Sequence, residues 1–236
     1  MLRERQWDSI FFGRKIGEVI LPPKRSTASI TSDIRTAKAA GFAYLNCRTE
    51  GFDVRLAQTL CANGFYLTDI GIIWQAPREN IPPRRHSAYT PRLANEEDIP
   101  TLRKMAKSLF IHSRFYQDPF FTRAEADKLF SQWTENAVRG EAADAVLHVP
   151  HAGFIAVRRS GRRSGDIPLV GVTRKYRGTG LGRSLVTAAL AWFQKNDIEI
   201  ERVSVRTQLR NTEAMNFYRA LWFSIRSHDM VFGKIL

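Results

Sequence analysis

The chain has 236 residues, of which 44% are hydrophobic and 11% aromatic, enough to build a packed core and too many for a polypeptide that stays disordered. Its net charge of +13 favours an anionic partner, and nucleic acid, a membrane surface, coenzyme A and nucleotide-sugars all satisfy that condition. The two cysteines, Cys47 and Cys61, lie in neither CxxC nor metal-ligand spacing, so no disulfide framework or zinc site is implied, and no apolar run approaches the roughly 18 residues of a membrane span.

Met1 to Asp8 is charged and lacks an apolar signal stretch, which points to a cytoplasmic protein. Strand-like and helix-like segments then alternate. Lys15–Leu21 reads as a strand, Ser29–Ala40 as a helix stopped by Gly41, and Ala43–Cys47 as a short strand. Asp53–Ala62 is helical with Asn63–Gly64 as its stop, and Phe65–Gln75 is a long strand rich in Ile, Tyr and Trp. Residues 1–76 thus form a small α/β domain with no chemistry motif of its own. Residues 77–88 are rich in proline and charge and read as a linker.

Beyond the linker, residues 89–236 form a second domain. Tyr89–Ala94 is a strand, and Glu96–Phe110 is an amphipathic helix with Ile99, Leu102, Met105, Ala106 and Leu109 on one face. His112–Phe121 is an aromatic-rich loop. Thr122–Val138 is a helix with Thr122 and Glu125 in capping-box spacing. Strands follow at Ala145–Val149, Gly153–Arg158 and Ile167–Thr173, with the basic run Arg158–Gly165 as a hairpin tip. Leu181–Lys195 is a helix, Arg202–Thr207 a strand, Thr212–Leu221 a helix and Ser224–Ile235 closing strand. The fold class is α/β (α+β), with a mixed central sheet.

The chemistry sits in Ile167–Leu190. An apolar strand runs into a basic, glycine-rich turn, and a helix begins at once. A helix N-terminus presents unpaired N–H groups and partial positive charge, so it can bind a pyrophosphate where side chains do not block the approach. Gly178, Gly180 and Gly182 would remove the blocking Cβ atoms, while Arg174, Lys175, Arg177 and Arg183 would add charge. The G-x-G-x-G spacing is not that of a dinucleotide-binding turn, and the G-K-[ST] of a Walker loop is absent. After the next strand, Asn211-Thr-Glu-Ala-Met-Asn-Phe-Tyr218 places Ala214, Phe217, Tyr218 and Leu221 on one helical face.

Together these segments resemble the GNAT family of N-acetyltransferases. Arg177, Gly180 and Gly182 match the family's R-x-x-G-x-G, and Asn211, Ala214, Phe217 and Tyr218 match its N-x-x-A-x-x-F-Y helix. Where the family usually places Gly-Phe after that helix, this chain has Trp222-Phe223; glycine suits a left-handed helix end that costs other residues roughly 1 kcal/mol or more. Trp7–Gly13, Asp98–Arg103, His112–Phe115, Gln132–Gly140 and Val205–Gln208 extend the likeness to the dTDP-4-amino-4,6-dideoxygalactose (dTDP-fucosamine) N-acetyltransferases of bacterial surface-polysaccharide synthesis.

The resemblance implies direct transfer from acetyl-CoA to an amine, without a metal, with the acceptor a small molecule, a nucleotide-linked amino-deoxy sugar. Leu169, Val170, Gly171 and Val172 would pair with the pantetheine amides and offer an N–H to the carbonyl oxygen. Arg177, Gly178, Thr179, Gly180, Leu181, Gly182, Arg183 and Asn211 would complete the acyl-CoA site. Tyr218 would be the general acid to the thiolate. Asp69 would start a path for the amine proton, with residues 1–76 contributing to the acceptor site. His112, Arg114 and Phe115 would face the sugar. The same fold acting on a protein amine or another small amine is the alternative. From a different class, a basic RNA- or ribosome-associated protein would use the loop only for anions, but nucleic acid is disfavoured as the partner. Oligomeric state stays open, a homodimer included.

Overall fold

In a computed structural model, the structure describes residues 1–21, 27–51, 53–77, 88–107, 109–196 and 199–236. The predicted linker, apart from Pro77 and Ala88, lies outside the described residues. The first third of the chain contains β1 (Leu2–Glu4), α1 (Gln6–Phe12), β2 (Ile16–Val19), α2 (Thr27–Ala39), β3 (Tyr44–Glu50), α3 (Val54–Ala62) and β4 (Tyr66–Pro77). The remainder contains β5 (Arg92–Leu93), α4 (Ile99–Ala106), α5 (Arg114–Gln117), α6 (Arg123–Val138), β6 (Ala145–Val149), β7 (Gly153–Gly161) and β8 (Ser164–Ile167). It ends with β9 (Val170–Val172), α7 (Leu181–Asn196), β10 (Arg202–Gln208), α8 (Thr212–Ala220) and β11 (Ser224–Ile235).

Among the described residues, eleven strands join one mixed sheet in the order β1-β2-β3-β11-β4-β10-β8-β7-β6-β5, with β9 beside β7. The last strand, β11, enters between β3 and β4 and runs antiparallel to both, so the two predicted segments share continuous backbone pairing. The strand expected over Ile167–Thr173 is two strands. Pro168 has no N–H to offer a ladder, and β8 stops in front of it. The helix expected to reach Phe110 ends at Ala106, and α1, which has too short an apolar pattern to stand out, is added before β2.

Period-two alternation on the strands makes two apolar faces. On β7, Ile155 and Val157 point to a core with Leu185, Ala189, Phe193 and Tyr218 from α7 and α8. Phe154 and Ala156 point to the opposite core, with Leu102, Phe115, Leu129 and Phe130 from α4, α5 and α6. A third cluster, with Ile30, Leu45, Leu60 and Phe232, fills the space beneath α2 and α3. Phe154 and Ile155 are both fully buried, each contributing about 2–3 kcal/mol of apolar transfer.

Charge is also built into the α4–α6 side of the sheet. The register puts Arg48, Val231 and Asp69 side by side on β3, β11 and β4, and Asp229 opposite Gly71. Arg206 of β10, opposite Ile73, lays its guanidinium over Gly71, where a Cβ would come within 2.1 Å of Nη2. From there it donates to Asp229 at 2.8 and 2.6 Å and to Asp69 at 3.0 Å, clamping three strands.

Helix α8 ends in a Schellman motif. The Phe223 N–H donates to the Tyr218 carbonyl at 3.1 Å and the Trp222 N–H to the Arg219 carbonyl at 3.0 Å. Trp222 takes the left-handed conformation, φ 64°, that glycine would hold without strain. The Phe223 ring packs 5.7 Å from that of Tyr218, so the motif fixes the tyrosine despite the missing glycine.

Two substitutions test these devices. Because the Trp222 side chain is 63% exposed and loses little packing, Trp222→Gly relieves the left-handed strain and, after the extra freedom of the unfolded chain, raises stability by about 0.5–1 kcal/mol in urea titration. Gly71→Ala displaces the Arg206 guanidinium and leaves Asp69 and Asp229 without their cation. We expect a loss of roughly 2 kcal/mol in the same assay, below the range for a fully buried pair because Arg206 retains some solvent contact.

Candidate active site

β10 pairs in parallel with β8 only from Arg202 to Val205, and its last residues, Arg206–Gln208, pair with β4 alone. β7, which pairs with β8 before Pro168, stays the neighbour after it, and β9 pairs Val170 with Ile155, Gly171 with Phe154 and Val172 with Gly153. The sheet therefore parts between β9 and the end of β10. The bonds Ala156 N–H to Leu169 O and Thr173 N–H to Ala152 O, both 2.8 Å, flank the pair Phe154–Gly171. Antiparallel alternation then turns the Gly171 amide toward β7 and the amides of Val170 and Val172 toward the gap. The hydrogen bond from Arg177 Nε to Val172 O at 3.3 Å confirms that direction.

A cavity of about 780 Å³ fills the gap, lined by Val170–Val172 on one side and by Asn211, Ala214, Phe217 and Tyr218 on the other. Its mouth is the basic turn. Gly178 and Gly180 have φ of 74° and 90°, and a Cβ on either would meet nothing within 4 Å, so both are required by backbone conformation. Gly182 serves differently: a Cβ there would lie 3.2 Å from the Phe217 ring. The absence of a side chain at Gly182 thus seats α7 against α8, in addition to any part it has in clearing a path for an anion. The first α7 amide bond runs from Ser184 N–H to Gly180 O at 3.1 Å, and the N–H groups of residues 181–183 lie ahead of it at the positive end of the helix.

Arg177 and Arg183 line the cavity, and Arg177 Nη1 also sits 3.3 Å from Glu213 Oε2 on α8. Asn211 caps α8 through its side chain, which accepts from Ala214 N–H at 3.2 Å. Thr179 turns its hydroxyl onto the Tyr176 carbonyl at 2.8 Å, Leu181 is fully buried, and Leu169 belongs to the α4–α6 core. None of these three side chains lines the cavity, so their part there is confined to the backbone. The N–H groups and apolar wall fit an acyl chain bearing amides and a pyrophosphate.

Tyr218 stands at the inner wall, 3% exposed, with its ring 6.3 Å from Trp74. Burial raises its phenol well above the ordinary value, so it stays protonated at neutral pH. His112 lines the same cavity, and Leu109 seals it against Gly171, where a Cβ would come within 2.6 Å of the leucine. Leu109, Tyr176, Glu213 and Phe217 were not among the predicted site residues. For Phe217 and Glu213 a signal existed, since both sit on the Asn211–Tyr218 helix.

The remaining predicted residues do not meet in this cavity. Phe115 is core, 5% exposed, packed against Phe12, Phe121 and Trp133. Arg114 lies with its guanidinium 4.2 Å from the Phe115 ring. Asp69 lines a smaller cavity of about 250 Å³ with Leu67, Leu209 and Arg210, on the far face of the sheet from α8. Burial raises its carboxyl, and Arg206 opposes that shift.

Comparison with known proteins agrees with this geometry. Residues 108–223 match the acetyltransferase (GNAT) family. The chain is 26% identical over 217 residues to the dTDP-fucosamine acetyltransferase of Escherichia coli O6:H1, covering 90% of this chain and 88% of that one. It is 26% identical to the spore coat polysaccharide biosynthesis protein SpsD of Bacillus subtilis, over 54% of this chain and 44% of the relative. In fold it is similar to a tandem GNAT protein from the clavulanic acid biosynthesis pathway, with a TM-score of 0.62, 14% identity, and 93% of this chain and 75% of that one covered. No helix among the described residues is long and apolar enough to cross a membrane. The chain carries a GNAT-family acetyltransferase domain and is an acetyl-CoA-dependent N-acetyltransferase.

Proposed function

We propose that the acceptor is the amine of a nucleotide-linked amino-deoxy sugar, acetylated by direct transfer in the cytoplasm. The observation that carries this reading is the reach of the Escherichia coli match. At 90% of the chain it extends far beyond residues 108–223, into the segments that hold Asp69 and the charged sheet face. Residues 1–76 then act as a domain that contributes to the acceptor site, joined by the linker 77–88 to the acetyltransferase domain 89–236.

In this reading the amides of Val170 and Val172 hold the pantetheine as a neighbouring strand would, and one of them donates to the thioester carbonyl oxygen as charge develops. The N–H groups of residues 181–183, with Arg177 and Arg183, take the pyrophosphate. Acetyl-CoA supplies an activated thioester when bound. Tyr218 donates to the leaving sulfur. Its raised pKa exceeds that of an ordinary thiol, about 8.5, so the phenol stabilises the thiolate as a hydrogen-bond donor and proton reservoir. Asp69 has a carboxylate whose proton affinity burial increases, which suits it to draw the amine proton, directly or through water. His112, which lines the large cavity, and Arg114, at the start of α5, face the acceptor. A homodimer is compatible with all of this.

A screen of coenzyme A release over dTDP- and UDP-linked amino sugars tests the acceptor. Turnover on at least one is expected, whereas turnover on a peptide amine and on none of the sugars rejects the reading. With the accepted sugar, Tyr218→Phe lowers kcat by about 10²-fold while acetyl-CoA affinity stays within about twofold. Unchanged kcat would remove Tyr218 from the chemistry.

A further inference from the structure

The sheet face that carries the Arg206 clamp holds two more cations. Arg48 on β3 is half-exposed, and its only ion pair among the described residues is a loose one, Nη1 to Asp229 Oδ2 at 3.8 Å. Asp229 is already taken by two bonds from Arg206. Arg114 opens α5, which packs over β4, and its guanidinium lies 4.2 Å from the Phe115 ring and 5.9 Å from that of Phe121. Among the described residues Arg114 forms no ion pair, and its buried Nη1 has no hydrogen-bond partner. Asn46, two residues before Arg48 on the same face and 6% exposed, has a buried Oδ1 that also lacks one.

These groups share one field. Burial lowers the Arg48 guanidinium from its ordinary value, Asp229 opposes the shift, and the like charges of Arg206 and Arg114 add to it. Arg114 acts on Asp69 in the same way as Arg206, holding its carboxyl down against burial. Three guanidinium groups therefore share Asp69 and Asp229. Glu18, which acts on Arg48 from β2, is already paired with Arg3 and Arg5, and the buried Asp118 on the same face accepts from Tyr44 and Tyr66, so the two cations with unspent donors are Arg48 and Arg114. Like charges brought together with donors unsatisfied are costly, and an oxyanion with several acceptor oxygens removes both costs. Planar guanidinium forks match phosphate oxygens well. Arg114 is two residues from His112, which lines the large cavity, and Arg48 lies on the same sheet face, level with Asp69 across β11.

We propose that Arg48 and Arg114 form an oxyanion subsite that takes the diphosphate of the acceptor, holding the sugar amine between Asp69 and the opening in the sheet. The assignment rests on the amino-sugar reading for the source of the diphosphate. The subsite itself rests only on the arginines.

Isothermal titration calorimetry tests it directly. The protein is first saturated with coenzyme A, so that its own pyrophosphate site is filled, then titrated with a nucleoside diphosphate and separately with inorganic pyrophosphate. Arg48→Met and Arg114→Met are each expected to weaken both ligands by about tenfold, with melting temperature and acetyl-CoA KM unchanged. Arg226→Met, which removes the same charge from an exposed position on β11, should leave them unchanged. No diphosphate binding to the wild-type complex, or wild-type affinity in both variants, overturns the subsite. Pyrophosphate bound as tightly as the nucleotide identifies the diphosphate as the recognised group, whereas a nucleotide that binds while pyrophosphate does not also overturns it. If no amino sugar is turned over but both variants lose diphosphate affinity, the acceptor reading fails and the subsite stands. If a nucleotide-linked sugar is turned over with the same acceptor KM in the wild type and both variants, the reverse holds.

Discussion

The parallel pairing of β8 with β10 stops at Ile167 and Val205, and the large cavity is the consequence of that stop. Pro168 cannot donate to a ladder, so the chain leaves β10 while keeping β7, already the partner of β8, as its neighbour, and resumes there as β9. Three results follow from one interruption. A gap opens inside an otherwise continuous sheet; the outward amides of Val170 and Val172 line it; and the chain emerges from β9 aimed at the basic turn that starts α7. A strand paired on both edges would present none of these amides, and the cavity would be packed core. Sheets seldom leave a buried edge unpaired, because its polar groups must find partners. An extended molecule carrying amides is the natural partner for such an edge.

The remainder of the architecture holds the two sides of the gap in place. On the α8 side, the Schellman motif closes the helix and packs Phe223 against Tyr218 with the rings tilted, at the cost of a left-handed tryptophan. On the opposite face, Arg206 is anchored through Gly71 to Asp69 and Asp229, which ties the end of β10 to strands from the beginning and the end of the chain. The insertion of β11 between β3 and β4 makes this possible, since it brings Asp229 beside Gly71. The cavity beside α8 and the Arg206 clamp thus lie on opposite faces of one sheet; in the proposed reading the first takes the acyl donor and the second presents the acceptor.

The local parts of this design were legible in the sequence, and the long-range parts were not. The turn at Gly178 and Gly180 is readable because positive φ needs glycine and the helix start follows within the same few residues. The Asn211 cap and the Tyr218 face are likewise encoded within one helix. Pro168 was visible inside an apolar run, yet a run of that length reads as a single strand unless the partners of its two halves are known. Phe115 enters the acceptor set through the family likeness alone, and its stacking partner Phe12, more than a hundred residues away, leaves no local trace. The bond between Asp69 and Arg206 spans 137 positions and leaves no periodic trace. β1 and α1 are too short and too charged to stand out from a disordered terminus. Thr179, Leu181 and Leu169 match the pattern by position, but only side-chain packing reveals that they turn away from the cavity.

The central claim is that the gap between β9 and β10 is the acyl-CoA site. Amide hydrogen exchange, with and without acetyl-CoA, tests it most directly, because the groups concerned are backbone N–H. Protection should rise at Val170, Val172 and residues 181–183, with little change at Arg48 or Arg114. Protection that appears on the clamp face instead, with Val170 and Val172 unaffected, would contradict the account.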